Sequence, residues 1–171
     1  MIEHRLILER QSCRVLPFSM DNTIQILQTK LQIPNLPDWY LTRSRLIERL
    51  TQHLSLPFTL LSAPAGYGKT TLLVDWLLRE KNRALQGYRI AWLSLDEYDN
   101  DPGRLISYLV AALQQVEPTI GTTALQMMTM LQKAPLEDLL VSILNDVQNQ
   151  PYRILFVVDD FHLAHDKRIH R

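Results

Sequence analysis

The chain has 171 residues, 46% apolar and 21% charged, enough for one ordinary domain with a hydrophobic core. Eighteen basic residues balance eighteen acidic ones, so net charge points to neither a nucleic-acid nor a membrane surface. Cys13 is the only cysteine, which excludes an internal disulfide and a cysteine-based metal cluster and fits a reducing cytosol; no apolar run approaches the roughly 18 residues of a membrane span, and the charged start lacks the apolar block of a secretory signal.

Residues 1–25 carry no clear period, and "NLPDW" (35–39) reads as a linker or turn. "SRLIERLTQHL" (44–54) places Leu46, Ile47, Leu50 and Leu54 on one helical face, with Ser44 as an N-cap candidate and Pro57 as the stop. "FTLLSA" (58–63) is a short apolar run that predicts a buried strand, followed by a glycine-rich turn and a helix, "TTLLVDWLLRE" (70–80). "RIAWLSLD" (89–96) predicts a second strand. In "YDNDPGRLISYLVAALQQV" (98–116), Asp101 can cap a helix and Pro102 fits its first turn, where no amide bond is missed. Its apolar face is Leu105, Leu109, Ala112, Leu113 and Val116. Met127, Met128 and Met130 read as core or loop packing.

"PLEDLLVSILNDVQ" (135–148) predicts another helix, with Leu136, Leu139, Leu140, Ile143, Leu144 and Val147 three and four apart. "RILFVVDD" (153–160) is an apolar strand ending in two aspartates. Strands alternating with helices argue for an α/β domain with a parallel sheet.

"APAGYGKT" (63–70) follows the pattern of a phosphate-binding loop, with Ala63 where glycine is usual. Gly66 and Gly68 can adopt backbone angles that turn successive amides inward as an anion nest. The helix that begins near Lys69 adds its N-terminal amides and dipole. Lys69 can reach β- and γ-phosphates, and the Thr70 hydroxyl can ligate Mg²⁺. Ala63 ends the strand and need not supply a phosphate-facing amide. The Asp pair supplies what such a loop requires: Asp159, at the carboxyl end of a strand, would hold Mg²⁺ directly or through water, and Asp160 would orient the attacking water.

The ordered segments "ILQTKLQIP" (26–34), "LTRSRLIERL" (41–50), "LSAPAGYGKTTL" (61–72), "AWLSLDEYDND" (91–101), "YLVAALQ" (108–114) and "FVVDDFHL" (156–163), with "IH" (169–170) beyond, resemble the ATPase domain of maltose-regulator-like LuxR-type transcriptional regulators of the STAND class. The resemblance covers residues 26–171, and that family commonly carries Ala-Pro-Ala-Gly at the loop. It implies an incomplete P-loop NTPase three-layer sandwich with about three core strands, binding ATP or ADP with Mg²⁺ through Ala65, Gly66, Tyr67, Gly68, Lys69, Thr70 and Thr71. It also implies that Leu41 to Arg45, Leu41 and Arg43 in particular, line the adenine pocket; a plain linker is the alternative. "SLDEYDND" gathers Asp96, Glu97, Asp99 and Asp101, which could tune metal or γ-phosphate contacts or form a solvated loop and helix cap. His162 is assigned no chemistry.

Residues 1–25 fall outside the resemblance, and Met20 lies where family members tend to start. The family continues past the position of Arg171 with further strands, a helical sensor array and a helix-turn-helix, so no DNA-reading module is expected in this chain. Folds of this type place a later strand between the loop strand and the Asp159 strand; without it, those two must pair directly or leave a gap, and bare sheet edges invite self-association. The leading reading is therefore the ATP-binding portion of a cytoplasmic signal-responsive regulator, with nucleotide as switch ligand and slow hydrolysis. The alternatives are a stand-alone small P-loop ATPase or kinase, for which no substrate site is visible, and an inert truncated product.

Overall fold

The computed structural model describes residues 25–80, 84–130, 134–167 and 169. The expectations attached to residues 1–24, Cys13 and Met20 among them, and to His170 lie outside the described residues.

Two strands form the sheet. β1 (Tyr88–Ser94) and β2 (Arg153–Asp159) pair in parallel, with Tyr88 opposite Arg153 and Ser94 opposite Asp159. Parallel neighbours need a long crossover, and three helices supply it: α3 (Pro102–Gln114), α4 (Thr122–Met130) and α5 (Leu136–Gln148). Two further helices, α1 (Ser44–Gln52) and α2 (Lys69–Glu80), precede β1.

Alternation along the strands sorts side chains to two faces. Tyr88, Ile90 and Trp92 of β1 and Leu155 and Val157 of β2 pack with α1 and α2, against Ile47, Leu72, Val74, Trp76 and Leu77. Ala91, Ile154 and Phe156 meet α3, α4 and α5 through Ile106, Val110, Ala124, Leu139 and Ile143. Leu93 and Val158 continue that second face towards Leu31, Tyr108 and Ala112. Helices thus cover both faces of a parallel sheet, the α/β arrangement expected from the alternating elements.

Several local signals hold. Asp101 caps α3 by accepting from the Arg104 amide at 2.9 Å, and Pro102 occupies its first turn. That helix buries more of its circumference than its period predicts. Ile106, Tyr108, Val110, Ala112 and Leu113 are buried, because the helix lies between α4 and α5 on one side and the N-terminal segment on the other. Ser44 is not a cap: it is already the first helical residue, and Arg43, in the cap position, makes no side-chain capping bond.

The larger correction concerns residues 58–63. They are not a strand. A strand exists through its hydrogen-bonded ladder, and among the described residues this segment has no neighbour paired with it. Leu56, Phe58 and Leu60 are 52%, 75% and 70% exposed, apolar side chains alternating along a bare segment. Residues 54–63 and 153–163 instead face each other as walls of an open groove of 2020 Å³. A small-molecule pocket measures about 300–1,000 Å³, so this groove has room for polypeptide as well as a ligand. Of the two arrangements open to the loop segment and β2, direct pairing or a gap, the chain adopts the gap.

Candidate functional site

At one end of the groove lies the glycine turn of residues 63–70. Gly66 and Gly68 both have positive φ, 80° and 74°, which residues with a Cβ rarely adopt. The turn runs straight into α2 at Lys69, so the first amides of that helix, which lack intrahelical acceptors, open beside it. Lys69 folds back over its own turn, its Nζ donating to the carbonyls of Ala63 at 3.0 Å and Pro64 at 3.3 Å. The arrangement is a concave run of backbone donors with one ammonium across it, a chemistry suited to anions.

Asp159 faces this turn from the end of β2. The Thr70 hydroxyl donates to Asp159 Oδ2 at 2.7 Å, while the Asp160 amide donates to Asp159 Oδ1 at 3.1 Å. The carboxylate is thus held by both oxygens, in a residue only 6% exposed. Its backbone carbonyl also accepts from the Leu95 amide, which extends the β1–β2 pairing one step past the strand ends. Asp160 adopts the left-handed conformation, φ 56° and ψ 32°, and is the only non-glycine residue with positive φ among the described residues. Aspartate tolerates that region better than most residues, at a cost of about 1 kcal/mol. A 3₁₀ turn, Phe161–Leu163, follows at once, with the Leu163 amide bonded to the Asp160 carbonyl. His162 lies beside the second aspartate, Nδ1 at 3.8 Å from Asp160 Oδ1, and is mostly exposed.

The structure brings Thr70, Asp159 and the glycine turn together, and Ala65, Gly66, Gly68, Lys69, Thr70, Thr71, Asp159 and Asp160 all line the groove. Arg43 reaches the turn separately: its Nη1 donates to the Tyr67 carbonyl at 2.9 Å. Leu41 is 84% exposed, and neither it nor Arg43 lines the groove. The same N-terminal stretch is tied to α2 by Arg79, which bonds both Thr42 and, at 2.6 Å, Asp75.

The acidic loop after β1 divides into parts with different work. Asp96 and Asp101 are caps, the first for a 3₁₀ turn over Glu97–Asn100 and the second for α3. Asp99 is not solvated: it is 1% exposed and paired with Lys30 and Arg104. The partner role of Lys30, 69 residues away in sequence, carries no local sequence signal.

No protein-family model matches the chain. Curated proteins do. The chain is 33% identical over 145 residues to the HTH-type transcriptional regulator MalT of Cronobacter sakazakii, and 31% identical over 145 residues to the MalT proteins of two Klebsiella pneumoniae strains. This chain is a relative of the MalT transcriptional regulators. The match takes in 85% of the chain, and the chain spans only 15% of the length of the curated relatives it matches. The regulator resemblance carried by the ordered segments from residue 26 onward is thereby borne out, and it agrees with the observed parallel α/β core. Among the described residues, no helix is long and apolar enough to cross a membrane.

Proposed function

We propose that the chain is the ATP-binding portion of a cytoplasmic, signal-responsive LuxR-type regulator, with Mg-ATP as a switch ligand that is slowly hydrolysed. The observation that carries this reading is the Thr70–Asp159 hydrogen bond beneath a turn built on two left-handed glycines. Two ligands of an octahedral Mg²⁺ at about 2.1 Å lie about 3 Å apart. The 2.7 Å pair is therefore already near the spacing at which a hydroxyl and a carboxylate can share one cation. The residues present fit the group.

In this reading the amides from Ala65 to Thr71 bind the phosphates, and Lys69 leaves the carbonyls of Ala63 and Pro64 to neutralise the terminal ones. Thr70 and Asp159 hold Mg²⁺, directly or with water between. The cation, when bound, offsets charge on the phosphate oxygens. Asp160 orients the attacking water, and Leu41 and Arg43 border the base. A ligand shifts a conformational equilibrium only through different affinities for its two states. The switch therefore needs contacts to phosphate that differ between the two states, and the groove between the turn and β2 is where such a difference can arise.

Calorimetric titration of ATP, with and without Mg²⁺, tests the proposal on the chain and on its Lys69→Ala variant. Magnesium-dependent binding that the variant loses supports it; equal heats in both exclude it.

A further inference from the structure

Lys30 is 7% exposed, unusual for a lysine. It lies on a 3₁₀ turn, Gln28–Leu31, that lies against β1. Its ammonium pairs with Asp96 at 2.7 Å and with Asp99, and sits 4.5 Å above the centre of the Tyr108 ring. The Tyr108 hydroxyl in turn accepts from the Leu27 amide at 3.2 Å. Arg104 approaches Asp99 from the other side at 3.0 Å. Burial opposes the charge on Lys30, and the two carboxylates more than offset it, holding its pKa above the ordinary value. A buried charge so fully partnered is costly to displace.

The same acidic turn has a second attachment, one residue further on. The Asn100 side-chain oxygen Oδ1 accepts from the amides of His165 at 2.8 Å and Asp166 at 2.7 Å. Its NH₂ group faces His165 Nε2 at 3.0 Å, and His165 Nδ1 faces the Leu163 carbonyl at 2.9 Å. These partners suit the ring tautomer that donates from Nδ1 and accepts at Nε2. One side chain therefore fastens the segment that directly follows Asp159 and Asp160.

We propose that Lys30 is a positioning residue that couples the N-terminal segment 25–33 to the segment 161–166 through the hydrogen-bonded turn of Asp96 to Asn100. Asp96 and Asp99 cap that turn reciprocally: Asp96 Oδ1 accepts from the Tyr98 amide and Asp99 Oδ2 from the Asp96 amide, both at 2.9 Å. Pulling Lys30 away removes a charge from both carboxylates that shape the turn, and Asn100 carries the change onward. The result is a relay from the start of the described chain to the backbone beside Asp160. The coupling does not rest on the nucleotide reading.

Hydrogen exchange on the full chain, without nucleotide, tests the relay. Lys30→Met is expected to speed exchange about tenfold at the amides of His165 and Asp166, the scale of a typical coupling, while residues 90–93 and 155–158 keep their protection. Lys30→Arg is expected to restore most of it. Coupling is reciprocal, so Asn100→Ala, at a partly exposed position that leaves the buried ion pairs intact, is expected to speed exchange at Leu27 and Lys30. Adding Lys30→Met to Asn100→Ala is expected to leave His165 and Asp166 no faster than Asn100→Ala alone. The relay is overturned if Asn100→Ala leaves Leu27 and Lys30 unchanged, if Lys30→Met loosens only residues 25–33, or if the two substitutions act additively.

Discussion

The Thr70 hydroxyl and the Asp159 carboxylate are joined by a 2.7 Å hydrogen bond. It ties the first turn of α2 to the last residue of β2 and closes one end of a groove that is otherwise open. Each half of the pair is ordinary by itself. Together they place a hydroxyl and a carboxylate beside a backbone cradle for anions, and the proposed nucleotide site rests on that juxtaposition.

If Asp159 holds Mg²⁺, Asp159→Asn replaces an anionic ligand by a neutral amide of the same shape. The expected outcome is ATP binding that no longer responds to Mg²⁺. Asp160→Asn is expected to leave affinity within about twofold and to slow hydrolysis, since the role proposed for Asp160 is to orient water. Titration and phosphate release on both variants decide the matter: equal loss of binding in the two means that the roles of the pair are misassigned.

Lys69 is the one side-chain cation within the turn, and in the structure it spends its hydrogen bonds on the carbonyls of Ala63 and Pro64. Lys69→Ala is expected to weaken Mg-ATP binding at least about tenfold, in line with roughly 1.5–3 kcal/mol for a hydrogen bond to a charged group. Calorimetry on the pair of proteins measures it.

Ala63 contributes its carbonyl to Lys69 but stands before the two left-handed glycines. Ala63→Gly is expected to change ATP affinity by less than tenfold, about 1.4 kcal/mol. A larger change in the titration would make this position part of the cradle.

A pH dependence follows from the acidic turn. Burial tends to raise the Asp96 carboxyl, but the hydrogen bond from Lys30, then that from the Tyr98 amide, more than offset it and hold its pKa below the ordinary 3.8. A depressed folded-state pKa gives stability that is present above the unfolded value and fades as pH falls through the folded one. The melting temperatures of the wild type and Asp96→Asn are therefore expected to differ most near neutral pH. They should converge well below pH 3.8, which a series of thermal melts from pH 7 to pH 2 would check.

The gap between residues 58–63 and β2 makes a fifth prediction. If, as the regulator resemblance implies, a later strand fills this gap, a longer form carrying it is expected to melt higher and bind ATP more tightly than this chain, because that strand would pair along the gap and cover Phe58 and Leu60. Each Å² of apolar surface so buried contributes about 25 cal/mol, against a total stability of about 5–15 kcal/mol for ordinary domains. Sedimentation, melting and titration of the two forms test this. A chain of 171 residues that is monomeric, melts cooperatively and binds ATP as tightly as the longer form would be a complete small domain.

Where a sequence signal and its structural cause lie close together, the fold was legible. Asp101 and Pro102 announce the start of α3 because cap and first turn are adjacent. The apolar runs of β1 and β2 form strands because each finds the other. The two loop glycines take the expected left-handed angles because the turn itself demands them. Residues 58–63 have the same apolar text, but a strand needs a partner that text cannot supply. The helix α4, "TTALQMMTM", was not foreseen because it shows little contrast between polar and apolar faces; Met127 and Met128 pack on the core, while Met130 is 79% exposed. Asp99 reads as one more solvated acid in an acidic loop, and its burial is explained by its pairing with the distant Lys30 and with Arg104.

The residues that meet in the Thr70–Asp159 bond are 89 positions apart in the chain. During synthesis at about 5–20 residues per second, the glycine turn and α2 emerge roughly 4–18 seconds before Asp159 does. For that interval the nascent chain holds half of a site, and the final carboxylate arrives last, after α3, α4 and α5 have been made. Assembly of the Thr70–Asp159 pair thus reports that the whole crossover has been translated.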